Sequence, residues 1–415
     1  MAGGIDALVV GAGVVGVTAA LALQERGLQV MLLEQNSVAE GCSFGNAGLI
    51  APGAFPLSAQ YRLTDLPAAF LKSNSPAALD WISTLRLLPW GFLYAKATRW
   101  DKVRRDTDLL HDLCRDALRS YEVLLGSDLP QISRRGYLTI HLSSAELEKA
   151  IHVNSIRTSM GLTVRMLVGS EIAEFEPALK GVAAAGATLV DGAAHIIDPA
   201  AFVKCLANVF VRRGGSVSRD RVQALRSKKS GEVTVYGDLE TYSPRTAVLT
   251  TGAHANQLLA DCDHRIPLVA ERGYHLELDV EPGFIGGPLA IPGLGVVLAP
   301  SARGARITGI SHFGSPGLRA RPELLLSALK RARKVLPSLR VRPGFEVWSG
   351  ERPATPDSLP IIEQIPGYRS MFVSCGHGHL GVTLAAISAR ILANLVRGNS
   401  SNYAAQLSSQ RFASN

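Results

Sequence analysis

The stretch "DALVVGAGVVGVTAALALQERGLQVMLLEQ" constrains this chain more than any other. A short apolar run, Ala7 to Val10, passes through Gly11-Ala-Gly13-Val-Val-Gly16 into an alanine-rich helical stretch, and a second apolar run, Gln29 to Leu33, ends in Glu34. Apolar strands on either side of a helix begin a parallel sheet buried on both faces. Each glycine has a separate reason in such a unit. Gly11 permits the tight turn, Gly13 lets the main chain approach a pyrophosphate, and Gly16 lets helix and strand pack closely. The phosphates would meet the helix N-terminus at Val14 and Val15, where N–H groups are free and the dipole favours anions. Glu34, followed by Gln35, would accept hydrogen bonds from an adenosine ribose and repel a 2′-phosphate, which leaves FAD or NAD. Ala7 to Leu23 carries no charge, yet only Asp6 precedes it and three glycines break it, so it is not read as a leader or a membrane span.

The segment after Glu34 decides for flavin. "NSVAEGCSFGNAGLIAPGAF" is polar and glycine-rich where an NAD domain would run on into another helix and strand. Ser43, Gly45, Asn46, Ala47 and Gly48, leading to Leu49, are small enough for a planar ring to lie against their main chain. A further apolar strand ends at Thr251-Gly252 and can touch the cofactor again.

Near the C-terminus, "VSCGHGHLGVTL" first suggests a metal, because Cys375, His377 and His379 share one face of an extended chain. The segment instead joins an apolar strand to the helix "GVTLAAISARILANLV". Gly376, Gly378 and Gly381 then form a strand-to-helix turn whose bare N–H groups, with Leu380 and Thr383 behind them, suit the pyrimidine end of a reduced flavin. No metal is expected. His377 is placed at the flavin edge and His379 as a residue that shapes the turn.

A chain of 415 residues with 47% hydrophobic and 19% charged residues is globular, and only the tail "SSNYAAQLSSQRFASN" has the composition of a disordered segment. Five widely spaced cysteines without a C-x-x-C pair suit a reducing, cytoplasmic compartment. The net charge of +8 comes from scattered basic residues without a nucleic-acid motif, so no nucleic-acid partner is expected.

The N-terminal fifty residues, "ERGYHLEL" at Glu271 to Leu278, "WSGERPATPDSLPIIE" at Trp348 to Glu363 and the C-terminal glycine segment together resemble the FAD-dependent amine and amino-acid oxidoreductases, which include D-amino-acid oxidase, glycine oxidase and sarcosine oxidase. "SFGNAGLIAPG" and "GHGHLGVTLA" look most like the D-amino acid dehydrogenase branch and its relatives acting on hydroxyproline. The resemblance implies an α/β fold: a discontinuous Rossmann-like FAD-binding domain (1–55, 140–260 and 343–415) and a substrate domain with a mainly antiparallel sheet (56–139 and 261–342). It implies non-covalent FAD, main-chain contact to the adenine near Val222, and Arg352 as the clamp for a substrate carboxylate. An arginine suits that task because its planar fork binds both oxygens. Tyr274 and His275 are further catalytic candidates, pointing to opposite faces of one strand.

The implied reaction is hydride transfer from the Cα of a D-amino acid or cyclic imino acid to the flavin, with electrons passing to a quinone, a partner subunit or another acceptor. Three alternatives stay open: a flavoprotein subunit of a hetero-oligomeric hydroxyproline, proline or opine dehydrogenase, an oxygen-using glycine or sarcosine oxidase, and an NAD-dependent dehydrogenase. Peripheral association with the inner face of the cytoplasmic membrane is compatible with the basic surface. The amphipathic stretch "LDWISTLRLLPWGFLYAKATRW" is read as core packing rather than membrane contact. Asp198 is expected to cap a helix that Gly214 and Gly215 end. "GYLTIHL", "YHLELDV", "GVVLAP" and "RITGISHF" alternate as antiparallel strands.

Overall fold

The computed structural model describes residues 4–60, 75–80, 83–227, 231–399 and 401–413. The opening motif folds as strand Ala7–Val10, helix Val14–Glu25 and strand Val30–Glu34, the two strands parallel and in register from Ala7↔Val30 to Val10↔Leu33. They sit in a six-stranded sheet in the order Ile361–Gln364, Met371–Cys375, Thr246–Leu249, Ala7–Val10, Val30–Glu34, Ser216–Arg219. All neighbours are parallel except the first pair.

Helix Val14–Glu25 is alanine-rich because it is covered on two sides, by Gly381–Val396 and by Pro199–Arg212. Leu21 and Leu23 are fully buried there, and burial of each contributes about 2 kcal/mol. Gly16 is required where the helix meets the strand ends, since a Cβ on it would lie 1.8 Å from the Gly11 carbonyl oxygen and 2.6 Å from Thr250 Oγ1. The stretch Gly378–Val396 is apolar and long enough to cross a membrane, but more than half of it is buried inside the fold, and Thr18 Oγ1 donates to the Ala385 carbonyl at 3.2 Å. Asp198 caps its helix as expected, its carboxylate accepting the Ala201 N–H at 2.9 Å.

The second large sheet has ten strands and is antiparallel apart from the pairing of Ser311–Gly314 with Ala77–Leu79 and of Leu289–Ile291 with Tyr137–His141. Its centre is the ten-residue strand Val269–Leu278, flanked by Ser311–Gly314 and Gly304–Thr308 on one side and Trp348–Ala354 on the other. The chain is divided between the two sheets at other places than the expected boundaries. Val164–Leu167, Gly186–Val190 and Trp348–Ala354 fall within stretches expected on the nucleotide side, yet all pair into the antiparallel sheet, while Tyr137–His141 joins it as its alternation predicts. Leu110, Leu113 and Tyr121, expected in the substrate domain, pack in the core around Val14–Glu25. Strand alternation names a partner face but not the partner sheet, which is why the boundaries shift.

Two further expectations are corrected. The tail is ordered from 401 to 413, while Ser400, Ser414 and Asn415 lie outside the described residues; Arg411 anchors it on buried Asp357 at 2.8 Å and 3.0 Å. The helix Thr84–Ala97 from the amphipathic stretch packs only one face inward, while Leu85, Leu88 and Phe92 stay exposed. Trp81 and Ile82 of that stretch lie outside the described residues.

Candidate active site

The glycine turn is fixed from both sides. Glu34 accepts the Ala12 N–H at 2.8 Å through Oε2 and the Asn36 N–H at 3.0 Å through Oε1. Thr250 Oγ1 donates to the carbonyls of Val10 and Gly11 at 2.7 Å and 3.0 Å. Ser43 Oγ accepts the Val14 N–H at 3.0 Å, which brings the glycine-rich stretch after Glu34 onto the helix N-terminus. The Asp220 N–H donates to the Glu34 carbonyl at 3.0 Å, so Val222 begins its strand close to where Glu34 ends its own. Thr251, at the end of the third parallel strand, has a buried Oγ1 with no partner among the described residues.

The turn from Gly45 to Gly48 shows how a backbone surface is built. Its successive carbonyls are held from outside: Gly45 by His275 Nδ1 at 3.4 Å, Asn46 by Arg306 Nη1 at 3.1 Å, Ala47 by His195 Nε2 at 3.1 Å and Gly48 by the Ile196 N–H at 2.8 Å. Carbonyls engaged on one side leave the other side of the turn for an electron-rich ligand. Trp348 packs directly beneath it, and a Cβ on Gly45 would lie 1.9 Å from the Trp348 ring. The Thr383 hydroxyl donates to the Leu49 carbonyl at 3.1 Å and accepts the Ala51 N–H at 3.2 Å. The start of the last long helix is thereby tied to this turn. Gly376, Gly378, Leu380 and Gly381 fall, as expected, in the connection between Met371–Cys375 and Gly381–Val396.

One face of Val269–Leu278 organises the remainder. The odd residues Glu271, Gly273, His275 and Glu277 share it, and register sets Glu271 opposite Arg352, Gly273 opposite Gly350, His275 opposite Trp348, and Glu277 opposite Arg306. His275 packs in a cluster with Phe44 and Trp348, its ring 4.9 Å from that of Trp348. Burial lowers its pKa to about 4, with Arg306 adding to the effect, so the ring is neutral at pH 7. His195 is also lowered to about 4, first by burial.

Glu271 is fully buried, and its Oε1 lies 3.1 Å from Arg352 Nη1, 2.9 Å from His379 Nε2 and 2.6 Å from Ser311 Oγ. Burial alone would push this carboxyl up, but His379, Arg352 and Ser311 together hold it at about 2. Its second oxygen has no partner among the described residues. Arg352, Glu271 and His379 line a cavity of about 1410 Å³, walled on the apolar side by Leu87, Trp90 and Tyr94. Such a volume is large for an amino acid alone. Trp90 is fixed there by its Nε1, which donates to the Ala354 carbonyl at 3.1 Å.

The structure thus separates the expected catalytic set. Arg352 stands on the cavity wall. Tyr274 does not reach it: the phenol is buried on the even face, bonded to His312 Nδ1 at 2.9 Å and to the Arg321 N–H at 3.0 Å. His275 supports the Gly45 turn and is absent from the cavity lining. The two C-terminal histidines both line the cavity but have different partners. The His377 ring turns onto Ser388 Oγ at 2.9 Å and burial lowers its pKa to about 4, whereas His379 reaches Glu271. Because these rings diverge, they form no common ligand set with Cys375. Glu271, Arg306 and His195 received no role from the sequence. Alternation from His275 to Gly273 to Glu271 would have found the first, while the other two come from strands distant in sequence.

A dinucleotide cradle on a parallel sheet, joined to an antiparallel sheet that presents an arginine to a cavity, defines a dinucleotide-dependent oxidoreductase. The model of the family described as DAO, FAD dependent oxidoreductase, matches residues 6–395. The chain belongs to this family, its cofactor is FAD, and the NAD alternative falls. It is 26% identical over 94% of its length to a D-amino-acid oxidase from Bradyrhizobium diazoefficiens, covering 94% of that protein. It is 29% identical over 94% of its length to D-amino acid dehydrogenase 2 from Ralstonia nicotianae, covering 95% of it. Its fold resembles glycine oxidase from Bacillus cereus with a TM-score of 0.73 at 19% identity, covering 96% of each chain. The Thr251 hydroxyl, without a partner among the described residues, and the turn at Gly45 to Gly48 fit the cofactor of this family.

Proposed function

We propose that this protein oxidises a D-amino acid or a cyclic imino acid, with electrons passing to a quinone or another acceptor. The observation that carries the reading is the position of Arg352 on the cavity wall, its guanidinium oriented by Glu271 across the strand pair. A charged fork in a cavity with an apolar wall selects a small organic carboxylate. The substrate class follows the names of the relatives, D-amino-acid oxidase and D-amino acid dehydrogenase.

Bound FAD supplies the hydride acceptor. In this reading Gly11, Gly13, Val14, Val15 and Gly16 hold the pyrophosphate, Glu34 and Gln35 the ribose, and the main chain near Val222 the adenine. Ser43, Gly45, Asn46, Ala47, Gly48 and Leu49, with Thr251 and Gly252, would hold the flavin ring, together with Thr383 and the turn Gly376, His377, Gly378, His379, Leu380 and Gly381. Arg352 binds the substrate carboxylate and so fixes which substrate face meets the ring. The substrate amine loses its proton to water, so no dedicated base is required of Tyr274, His275 or His377.

Anaerobic bleaching of the flavin across D- and L-amino acids, proline and hydroxyproline isomers, sarcosine and opines tests the substrate class; a flavin bleached by none of them would overturn it. Loss of a charge-assisted pair costs about 2–3 kcal/mol. Arg352→Ala should therefore raise KM roughly 30- to 150-fold and leave FAD bound. Unchanged KM would remove Arg352 from the site.

A further inference from the structure

We propose that the outer face of the helix Thr84–Ala97, with Trp100 just beyond it, docks on an anionic lipid surface. On this helix Leu85, Leu88 and Phe92 are 80%, 59% and 63% exposed, and Trp100 is 78% exposed. Their spacing of three and four residues places the first three in one stripe. Single exposed apolar side chains are ordinary on a protein surface, but an aligned set of this size marks a contact site.

The stripe has no freedom to turn inward. Leu87, Trp90 and Tyr94 occupy the opposite side of the same helix and line the cavity, and Trp90 is tied to Ala354. The helix is therefore a roof with two apolar faces, one over the cavity and one outward.

Charge decides what covers the outer face. Residues 84 to 105 hold six basic side chains, Arg86, Lys96, Arg99, Lys102, Arg104 and Arg105, against the single acid Asp101. Lys102 is turned inward, 3.1 Å from Asp106 and 3.5 Å from Asp357. Lys96 lies over the Phe92 ring, 4.9 Å from its centre. Arg86, Arg104 and Arg105 are exposed. An apolar stripe with a cationic border and a tryptophan at its end is the pattern that seats a helix at the level of acidic headgroups. A second copy fits less well, because symmetric pairing of this face would bring like charges together.

Leu88 and Trp100 also line the cavity, so docking would bring its edge to the lipid surface. The inference deepens the acceptor half of the proposed function and rests on that reading only there, since the docking needs no substrate.

The test is sedimentation of the full-length holoenzyme with vesicles of phosphatidylcholine alone or enriched in phosphatidylglycerol, at low and high salt. Leu85 and Phe92 do not line the cavity, so the double variant Leu85→Glu, Phe92→Glu leaves the site intact. The wild type should sediment with anionic vesicles, about tenfold more tightly than with neutral ones, and lose binding as salt rises. The double variant should bind at least about tenfold more weakly while its circular dichroism and dye-linked amino-acid oxidation stay unchanged. Wild type left in the supernatant beside anionic vesicles would overturn the proposal, as would a double variant that sediments equally well. A dimer seen by sedimentation velocity and dissolved by the double variant would overturn it in favour of a second copy. Vesicle binding that fails while flavin bleaching succeeds sinks this inference alone; the reverse result sinks only the substrate reading.

Discussion

Glu271 and Arg352 face each other across antiparallel strands, with Oε1 and Nη1 3.1 Å apart at the cavity wall. The residue proposed to bind the substrate carboxylate thus carries an internal carboxylate before substrate arrives. Glu271, held at about 2, is ionised throughout the neutral range. It orients the guanidinium and also weakens its field. Glu271→Gln keeps an amide oxygen beside Arg352 and His379 but removes the competing charge. A simple monocarboxylate inhibitor should then bind roughly five- to tenfold more tightly, about 1–1.4 kcal/mol. Titration of the flavin spectrum with the inhibitor measures this. Equal or weaker binding would show that orientation, rather than charge balance, is what Glu271 provides.

Gly273 tests the position of the arginine without touching its charge. A Cβ there would lie 2.2 Å from Arg352 Nη2 and 2.4 Å from its Cζ, so alanine must displace the guanidinium. The nucleotide cradle lies elsewhere. Gly273→Ala should raise KM by about tenfold or more with FAD content unchanged. Wild-type KM in a folded variant would mean that the guanidinium is not held where the substrate binds.

How much of this was legible in the sequence depends on the distance between partners. The glycine turn, its helix and Glu34 lie within about one βαβ unit, where spacing alone fixes geometry. The strand-to-helix turn at Gly376 to Gly381 was legible for the same reason. The grip on Gly45 to Ala47 was not, because His195, His275 and Arg306 reach it from three separate strands. The different partners of His377 and His379 have a similar cause. Spacing puts both on one side of an extended chain, but the chain turns there through a 3-10 segment and their rings part.

The tail shows composition misleading in the same way. Serine-rich and polar, it reads as disordered, yet Arg411 makes a two-pronged contact with Asp357, at 2.8 Å and 3.0 Å. It also donates to the carbonyls of Leu359 and Pro360 at 2.8 Å and 3.2 Å. Asp357 is fully buried, so removal of the guanidinium leaves its charge to Lys102. Breaking one side of a buried pair costs about 3–5 kcal/mol. Arg411→Ala should lower stability by that order in urea denaturation, and a loss within about 0.5 kcal/mol would mean the tail is merely laid on the surface.

Asp106 gives the fold a pH dependence of opposite sign to that of a paired carboxylate. It is buried beside Asp357, and burial, with the repulsion of Asp357, raises its pKa to about 6 despite Lys102. Oδ2 has no partner among the described residues. Because the folded state binds this proton more tightly than the unfolded chain, whose ordinary value is 3.8, the contribution of this group is most favourable below about pH 4. It is lost as pH rises through about 6. The shift of about two units corresponds to roughly 2–3 kcal/mol of destabilisation at pH 7.5. Asp106→Asn removes the titrating charge and leaves Lys102 with Asp357. The variant should be more stable than wild type at pH 7.5, with the gap closing toward pH 4, when unfolding is followed by urea at several pH values. A variant less stable than wild type at pH 7.5 would show that the ion pair with Lys102 outweighs the desolvation and repulsion at Asp106.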